Sequence, residues 1–116
     1  MLDIDIEYKK GVLFVRLSGQ LSINTYRSFE INIIPLVIYQ GISKIVINLD
    51  EINFIDEKGI SSLKKLSKVI NSEITICTVK REIKDYISNY FKAIITSNEL
   101  KALRVNKVWK RYRKNY

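Results

Sequence analysis

The first twenty residues constrain the fold most. Leu2, Ile4, Ile6 and Tyr8 alternate with Asp3, Asp5 and Glu7, a period of two that fits a strand with one face in water. Lys9-Lys10-Gly11 reads as a turn. Val12 to Leu17 follows as a near-continuous apolar run, the pattern of a strand covered on both faces. So short a connection predicts an antiparallel hairpin.

Downstream the period changes. A helix is expected over roughly Asn24 to Gln40, with Phe29, Ile33 and Leu36 at helical spacing, Ser22, Asn24 or Thr25 as its cap, and Gly41 as its stop. Pro35 removes the hydrogen bond to the Ile31 carbonyl and should kink or shorten that helix. Lys44 to Leu49 reads as a short buried strand. Asp50 to Ile55 then leads to Asp56-Glu57-Lys58-Gly59 and a second helix. Ile60, Leu63, Leu66 and Ile70 should face inward there, and Lys58, Ser61, Ser62, Lys64, Lys65, Ser67 and Lys68 largely outward. Next come a strand over Ile74 to Val79, a helix over Arg81 to Phe91 with Ile83, Ile87 and Tyr90 in register, and a short strand over Ala93 to Thr96. Ser97-Asn98-Glu99 caps a last helix, whose Leu100 and Leu103 are expected to face the core. The order β-β-α-β-α-β-α-β-α predicts an α/β domain with a mixed, mostly parallel sheet of four to five strands and right-handed crossovers.

At 116 residues the chain is long enough for one domain with a core that needs no staples. Histidine is absent and Cys77 is the only cysteine. That excludes Ser-His-Asp and Cys-His catalysis, histidine-ligated metals, zinc fingers and intrachain disulfides. Neither common Gly-rich phosphate loop is present, and the adjacent acids Asp50-Glu51 and Asp56-Glu57 are not set across a substrate by adjacency alone. No catalytic residue, cofactor or metal site is therefore expected, and Cys77, among Ile74, Ile76 and Val79, reads as a buried inert thiol. The acidic start and the lack of an apolar run near 20 residues predict a soluble, cytoplasmic domain.

Charge is unevenly spread. The net charge is +8, but Lys101, Arg104, Lys107, Lys110, Arg111, Arg113 and Lys114 supply +7 of it with no acid among residues 101–116. The first 100 residues are nearly neutral, at net +1, so the pattern is a domain over 1–104 followed by a basic C-terminal tail over 105–116, unlike a uniformly basic nucleic-acid-binding domain. Drawn as a helix, Val105, Val108, Trp109 and Tyr112 oppose Arg104, Lys107, Lys110, Arg111 and Lys114. The tail could fold back on the domain, or contact a partner, an anionic membrane surface or nucleic acid through Lys107, Lys110, Arg111, Arg113 and Lys114.

Three segments carry a resemblance: G-V-L-F-V-R-L-S-G-Q-L (11–21), K-I-V-I-N-L-D-E-I-N-F-I-D-E-K-G-I (44–60) and N-Y-F-K-A-I-I-T-S-N-E-L-K-A-L (89–103). Over residues 2 to 104 the chain resembles STAS domains, and within them the bacterial anti-sigma factor antagonists. The resemblance implies a non-enzymatic binding switch. Unphosphorylated antagonists of this kind bind an anti-sigma factor that is also a serine kinase, and phosphorylation breaks the complex. The acceptor is the serine after the aspartate of an Asp-Ser-Ser-Gly loop opening the second helix. Here that loop is Asp56-Glu57-Lys58-Gly59, so aspartate and glycine match while Glu57, without a hydroxyl, stands at the acceptor position.

The implied partner is an anti-sigma factor or a related regulatory protein. The implied docking surface comprises Asp56, Glu57, Lys58 and Gly59, with Ser61, Ser62 and Lys65 of the following helix. Other readings stay open beside it. Asp56 and Glu57 could simply satisfy a helix N-terminus. Glu57 could mimic phosphoserine, though with one charge against about −1.5 to −2. The lysines of the second helix could form only a solvated face. The whole chain could be a STAS adaptor subunit of a membrane-associated or transport complex, docked by its basic tail. The sequence leaves the oligomeric state open.

Overall fold

The computed structural model describes residues 1–72 and 74–105. Strands β1 (Leu2–Lys9) and β2 (Val12–Leu21) form the expected antiparallel hairpin, from Leu2 opposite Gly19 to Lys9 opposite Val12. Lys10 and Gly11 both take positive φ at the turn, which a two-residue hairpin connection requires. The chain continues through α1 (Tyr26–Gln40), β3 (Ile45–Ile55), α2 (Glu57–Ile70), β4 (Thr75–Cys77), α3 (Arg81–Ser88) and β5 (Ile94–Thr96). A last helical segment, α4, covers 99–105. The sheet has five strands in the order β1-β2-β3-β4-β5, with β2 to β5 mutually parallel.

Sequential strand order has a geometric consequence. Right-handed crossovers that all step the same way place their helices on one face of the sheet. The main core accordingly joins Leu13, Val15 and Leu17 of β2 and Ile45, Ile47 and Leu49 of β3 to Phe29, Ile33 and Val37 of α1, Ile60, Leu63 and Leu66 of α2, and Ile83 and Ile87 of α3. Each such side chain stabilises the fold by about 1.5–3 kcal/mol when fully buried. Alternate residues of the same strands point the other way. There Val12, Phe14, Val46 and Cys77 form a smaller cluster, covered by Ala102 and Leu103 of α4.

Alpha-4 is pinned at its start. Glu99 accepts two hydrogen bonds from the Arg16 guanidinium, each 2.8 Å, and one of 2.7 Å from Asn48 Nδ2. Arg16 also donates to Asp5 (3.1 Å) and Glu7 (2.8 Å) of β1. The Asn98 side chain caps the segment by accepting from the Lys101 amide at 2.9 Å.

Several expectations need correction. Strand β3 does not stop at Leu49 but runs to Ile55, because Glu51, Ile52, Phe54 and Ile55 pair with Ser18 to Leu21 of a β2 that is itself longer than expected. Helix α1 begins at Tyr26 and continues through Pro35 to Gln40. Pro35 and Ile31 both lie on the outward side, so the carbonyl that loses its donor faces water rather than the core. Strand β4 is confined to Thr75–Cys77, and α3 ends at Ser88, leaving Tyr90 beyond it and half-exposed against Tyr86, ring centroids 4.9 Å apart. In α4 the residues meeting the core are Ala102 and Leu103, whereas Leu100 is exposed. The tail residues Lys107, Lys110, Arg111, Arg113 and Lys114 lie outside the described residues.

Candidate partner-binding site

The Asp56–Gly59 turn lies where β3 ends and α2 begins, at the carboxyl edge of the parallel strands, the usual place for function in open α/β sheets. Two local features fix its shape. Asp56 is the N-cap of α2: its Oδ1 accepts from the Gly59 amide at 3.0 Å, and its Oδ2 accepts from the Ile23 amide at 2.9 Å. One carboxylate thus ties the β2–α1 loop to the first turn of α2. The Asp56 amide in turn donates to the Leu21 carbonyl at 3.3 Å.

Gly59 is buried, and any Cβ there would collide with the carbonyl oxygen of Leu21 and stand 2.9 Å from its carbonyl carbon. The glycine lets α2 approach the end of β2 backbone to backbone. The Asp-x-x-Gly pattern is therefore a structural requirement here, which leaves the two intervening side chains free to vary.

Those two, Glu57 and Lys58, are exposed. Lys58 Nζ lies 5.3 Å from the ring centroid of Tyr26, and the Arg27 guanidinium lies 5.9 Å from the same centroid. Arg27 Nε also donates to the Tyr26 hydroxyl at 3.3 Å, and this bond, with the charges of Arg27 and Lys58, lowers the tyrosine pKa. Flanking the turn are two exposed apolar side chains, Ile23 (54%) and Phe54 (49%). The candidate surface is thus mixed: one carboxylate, two cations around a tyrosine, and the apolar Ile23, with Phe54 exposed on the strand just before the turn.

Sequence reasoning missed Ile23, Tyr26, Arg27 and Phe54. The available signal was an apolar residue beside each polar turn at a strand end.

The other expected site residues divide. Ser61 is exposed beside Glu57 and Lys58. Ser62 is not on the helix surface as expected. It is fully buried and donates to Glu30 Oε2 of α1 at 2.7 Å. Lys65 reaches the same carboxylate, 3.2 Å from Oε1. Burial opposes the charge on Glu30, but the hydrogen bonds from Ser62 and Lys65 outweigh it and lower the pKa. Ser62 and Lys65 therefore join α1 to α2. Cys77 is buried with its thiol 3.4 Å from the Thr96 hydroxyl, and desolvation pushes its pKa up, the opposite of an activated nucleophile. Among the described residues no group of three or more acids or cysteines is placed to hold a metal ion, and no helix is long and apolar enough to cross a membrane.

Comparison with known proteins agrees with this architecture. The STAS domain family matches residues 3–101. An anti-sigma F factor antagonist from Paenibacillus polymyxa is 31% identical over 108 residues, covering 88% of this chain and 92% of that protein. Among solved structures, a Ser-to-Glu variant of RsbS from Moorella thermoacetica superposes with a TM-score of 0.77 at 14% identity, covering 93% of this chain and 97% of that one. An anti-sigma factor antagonist from Mycobacterium paratuberculosis gives 0.73 at 17% identity, with 90% and 93% covered. At those identities the structural likeness speaks to the fold alone. The sequence match to the Paenibacillus polymyxa protein and the near-complete family match go further: this chain belongs to the STAS domain family and is anti-sigma factor antagonist-like.

Proposed function

We propose that this protein is a non-enzymatic binding module that docks a regulatory partner of the anti-sigma factor type through the Asp56–Gly59 turn. One observation carries the reading. Asp56 and Gly59 are occupied in holding the turn, while Glu57 and Lys58 are exposed to solvent, as is Ile23, whose amide is bonded to Asp56. A rigid, exposed turn with mixed chemistry suits protein recognition better than catalysis. The relative's name gives the class of partner. With a carboxylate at position 57, the contact is not switched by phosphorylation at that residue.

The test is titration calorimetry against an anti-sigma factor encoded in the same genome. Glu57→Lys should change affinity tenfold or more, because it reverses charge at the contact. Glu57→Ala should cost under about 1 kcal/mol of stability, since the side chain is exposed and the cap is Asp56. Unchanged affinity in a folded Glu57→Lys variant removes the turn from the interface. Incubation with ATP and the same partner should leave position 57 unmodified. Phosphate on Ser61, with loss of binding, would mean that the switch has moved to that hydroxyl.

The second reading, an adaptor docked through its tail, rests on the concentration of +7 charge in residues 101–116.

A further inference from the structure

Helix α1 has two apolar faces, and the fold uses one. Phe29, Ile33 and Val37 enter the core. Ile31, Pro35, Ile38 and Tyr39 recur at intervals of four, three and one on the opposite side, which is the spacing of a second helical stripe. Ile31 is 70% exposed, Ile38 64% and Tyr39 87%. An ordinary surface helix carries charge on its outer face, as α2 does with Lys58, Lys65 and Lys68. From Ile31 to Ser43 there is no charged residue at all. Leu36, one helical turn from Tyr39, joins this stripe to a groove of about 290 Å³ against β1, where Ile6 and Tyr8 are also exposed.

We propose that this face is a self-association surface and that its occupant is a second copy of the chain, packed α1 against α1 across a two-fold axis between Pro35 and Tyr39. Charge favours that occupant. A two-fold contact sets one patch against itself, so a charged patch opposes its own sign. From Ile31 onward this face carries none, Arg27 lying a turn further back, and residues 1–100 are close to neutral overall.

Area agrees. Ile31, Ile38 and Tyr39 together leave on the order of 400 Å² exposed per copy, so a pair that covers them fully buries roughly 800 Å², and covering Ile6 and Tyr8 as well brings it to about 1,000 Å², the lower bound for a specific interface. A lipid surface fits less well. Helices that lie in a bilayer interface combine their apolar face with lysine and arginine on a polar face, whereas the opposite face of α1 is the protein core. At this size the dimer should half-dissociate at roughly 1–100 µM protein.

The full chain is tested by sedimentation equilibrium from below 1 µM to several hundred µM, with circular dichroism to verify folding. The wild type should pass from monomer to dimer. Ile38→Glu should raise the dissociation constant at least tenfold. Tyr39→Glu, at a more exposed position, should do the same and serves if Ile38→Glu does not fold. Tyr39→Cys should give a disulfide-linked dimer under mild oxidant, while Ser61→Cys on α2 should not. A wild type that stays monomeric throughout, or a dimer that both glutamate variants leave intact, overturns the proposal. So does binding to phosphatidylcholine vesicles that Ile38→Glu abolishes, which would assign the face to lipid.

Discussion

Gly59→Ala opposes two energetic effects of different size. Gly59 lies in the first turn of α2, and helix propensity alone favours alanine over glycine by about 1 kcal/mol. Packing acts in the other direction. The added methyl would meet the Leu21 carbonyl oxygen, with the Leu21 carbonyl carbon at 2.9 Å and Cγ at 3.0 Å. Two of those three atoms are backbone of β2, which cannot rotate aside, so α2 must retreat. Overpacking of this kind typically costs 1–3 kcal/mol. Retreat also lengthens the hydrogen bond from the Gly59 amide to Asp56, weakening a cap whose loss is worth about 1 kcal/mol. The two penalties exceed the propensity gain, and a net loss of about 1–2 kcal/mol is expected. Urea denaturation followed by far-UV circular dichroism measures it, with Ser61→Ala as the exposed control on the same helix. If Gly59→Ala matches or exceeds wild-type stability, the close approach of α2 to Leu21 is not a constraint, and the account of the Asp-x-x-Gly pattern fails.

The Arg16–Glu99 pair predicts a pH dependence. Hydrogen bonds from Arg16, and then from Asn48, hold the Glu99 carboxyl below its ordinary 4.5. A carboxylate depressed by folding contributes stability that is present above its unfolded value and is lost as pH falls through its folded value. The difference in urea midpoint between wild type and Glu99→Gln should therefore be constant near neutrality and shrink as pH falls below about 4.5. A difference that persists undiminished at pH 3 refutes the assignment. The tail gives the last expectation. A chain ended after Arg104 should stay folded and lose most of its affinity for anionic vesicles, at about 1 kcal/mol per basic side chain and less in high salt. DNA binding that survives the truncation would place the charge-driven contact elsewhere.

What could be read from the sequence followed from local pattern. The period-two run of Leu2 to Tyr8, the turn expected at Lys9-Lys10-Gly11 and the Gly41 stop depend on near neighbours, and each forms, the turn itself narrowed to Lys10-Gly11 because Lys9 still pairs with Val12. Errors arose where a distant segment decided the outcome. Asp50, Glu51 and Asn53 look like loop residues, yet β3 persists through them because the far end of β2 supplies its ladder. The polarity of Ser62 points it outward. Its position, three residues after Gly59 and four before Leu66, lies in the inward arc of α2, and Glu30 on α1 supplies the hydrogen bond that makes burial tolerable. In the site, Asp56 and Gly59 were visible as a motif. Ile23 and Tyr26 were not, because each meets the turn through a contact distant in sequence, the Ile23 amide with Asp56 and the Tyr26 ring with Lys58.

The uninterrupted strand order bears on how the chain assembles as it is synthesised. Every strand after the first pairs with the strand made just before it, so the sheet can grow at one edge without waiting for a later segment to insert. Such growth keeps each loop closure short and limits the time that unpaired edges stay exposed. The exception is the second face. Val12 and Phe14 emerge early, yet their cover arrives with Ala102, and Arg16 must wait 83 residues for Glu99. Until that partner arrives, Asp5 and Glu7 on the neighbouring strand can engage the guanidinium and keep the nascent face polar at its rim.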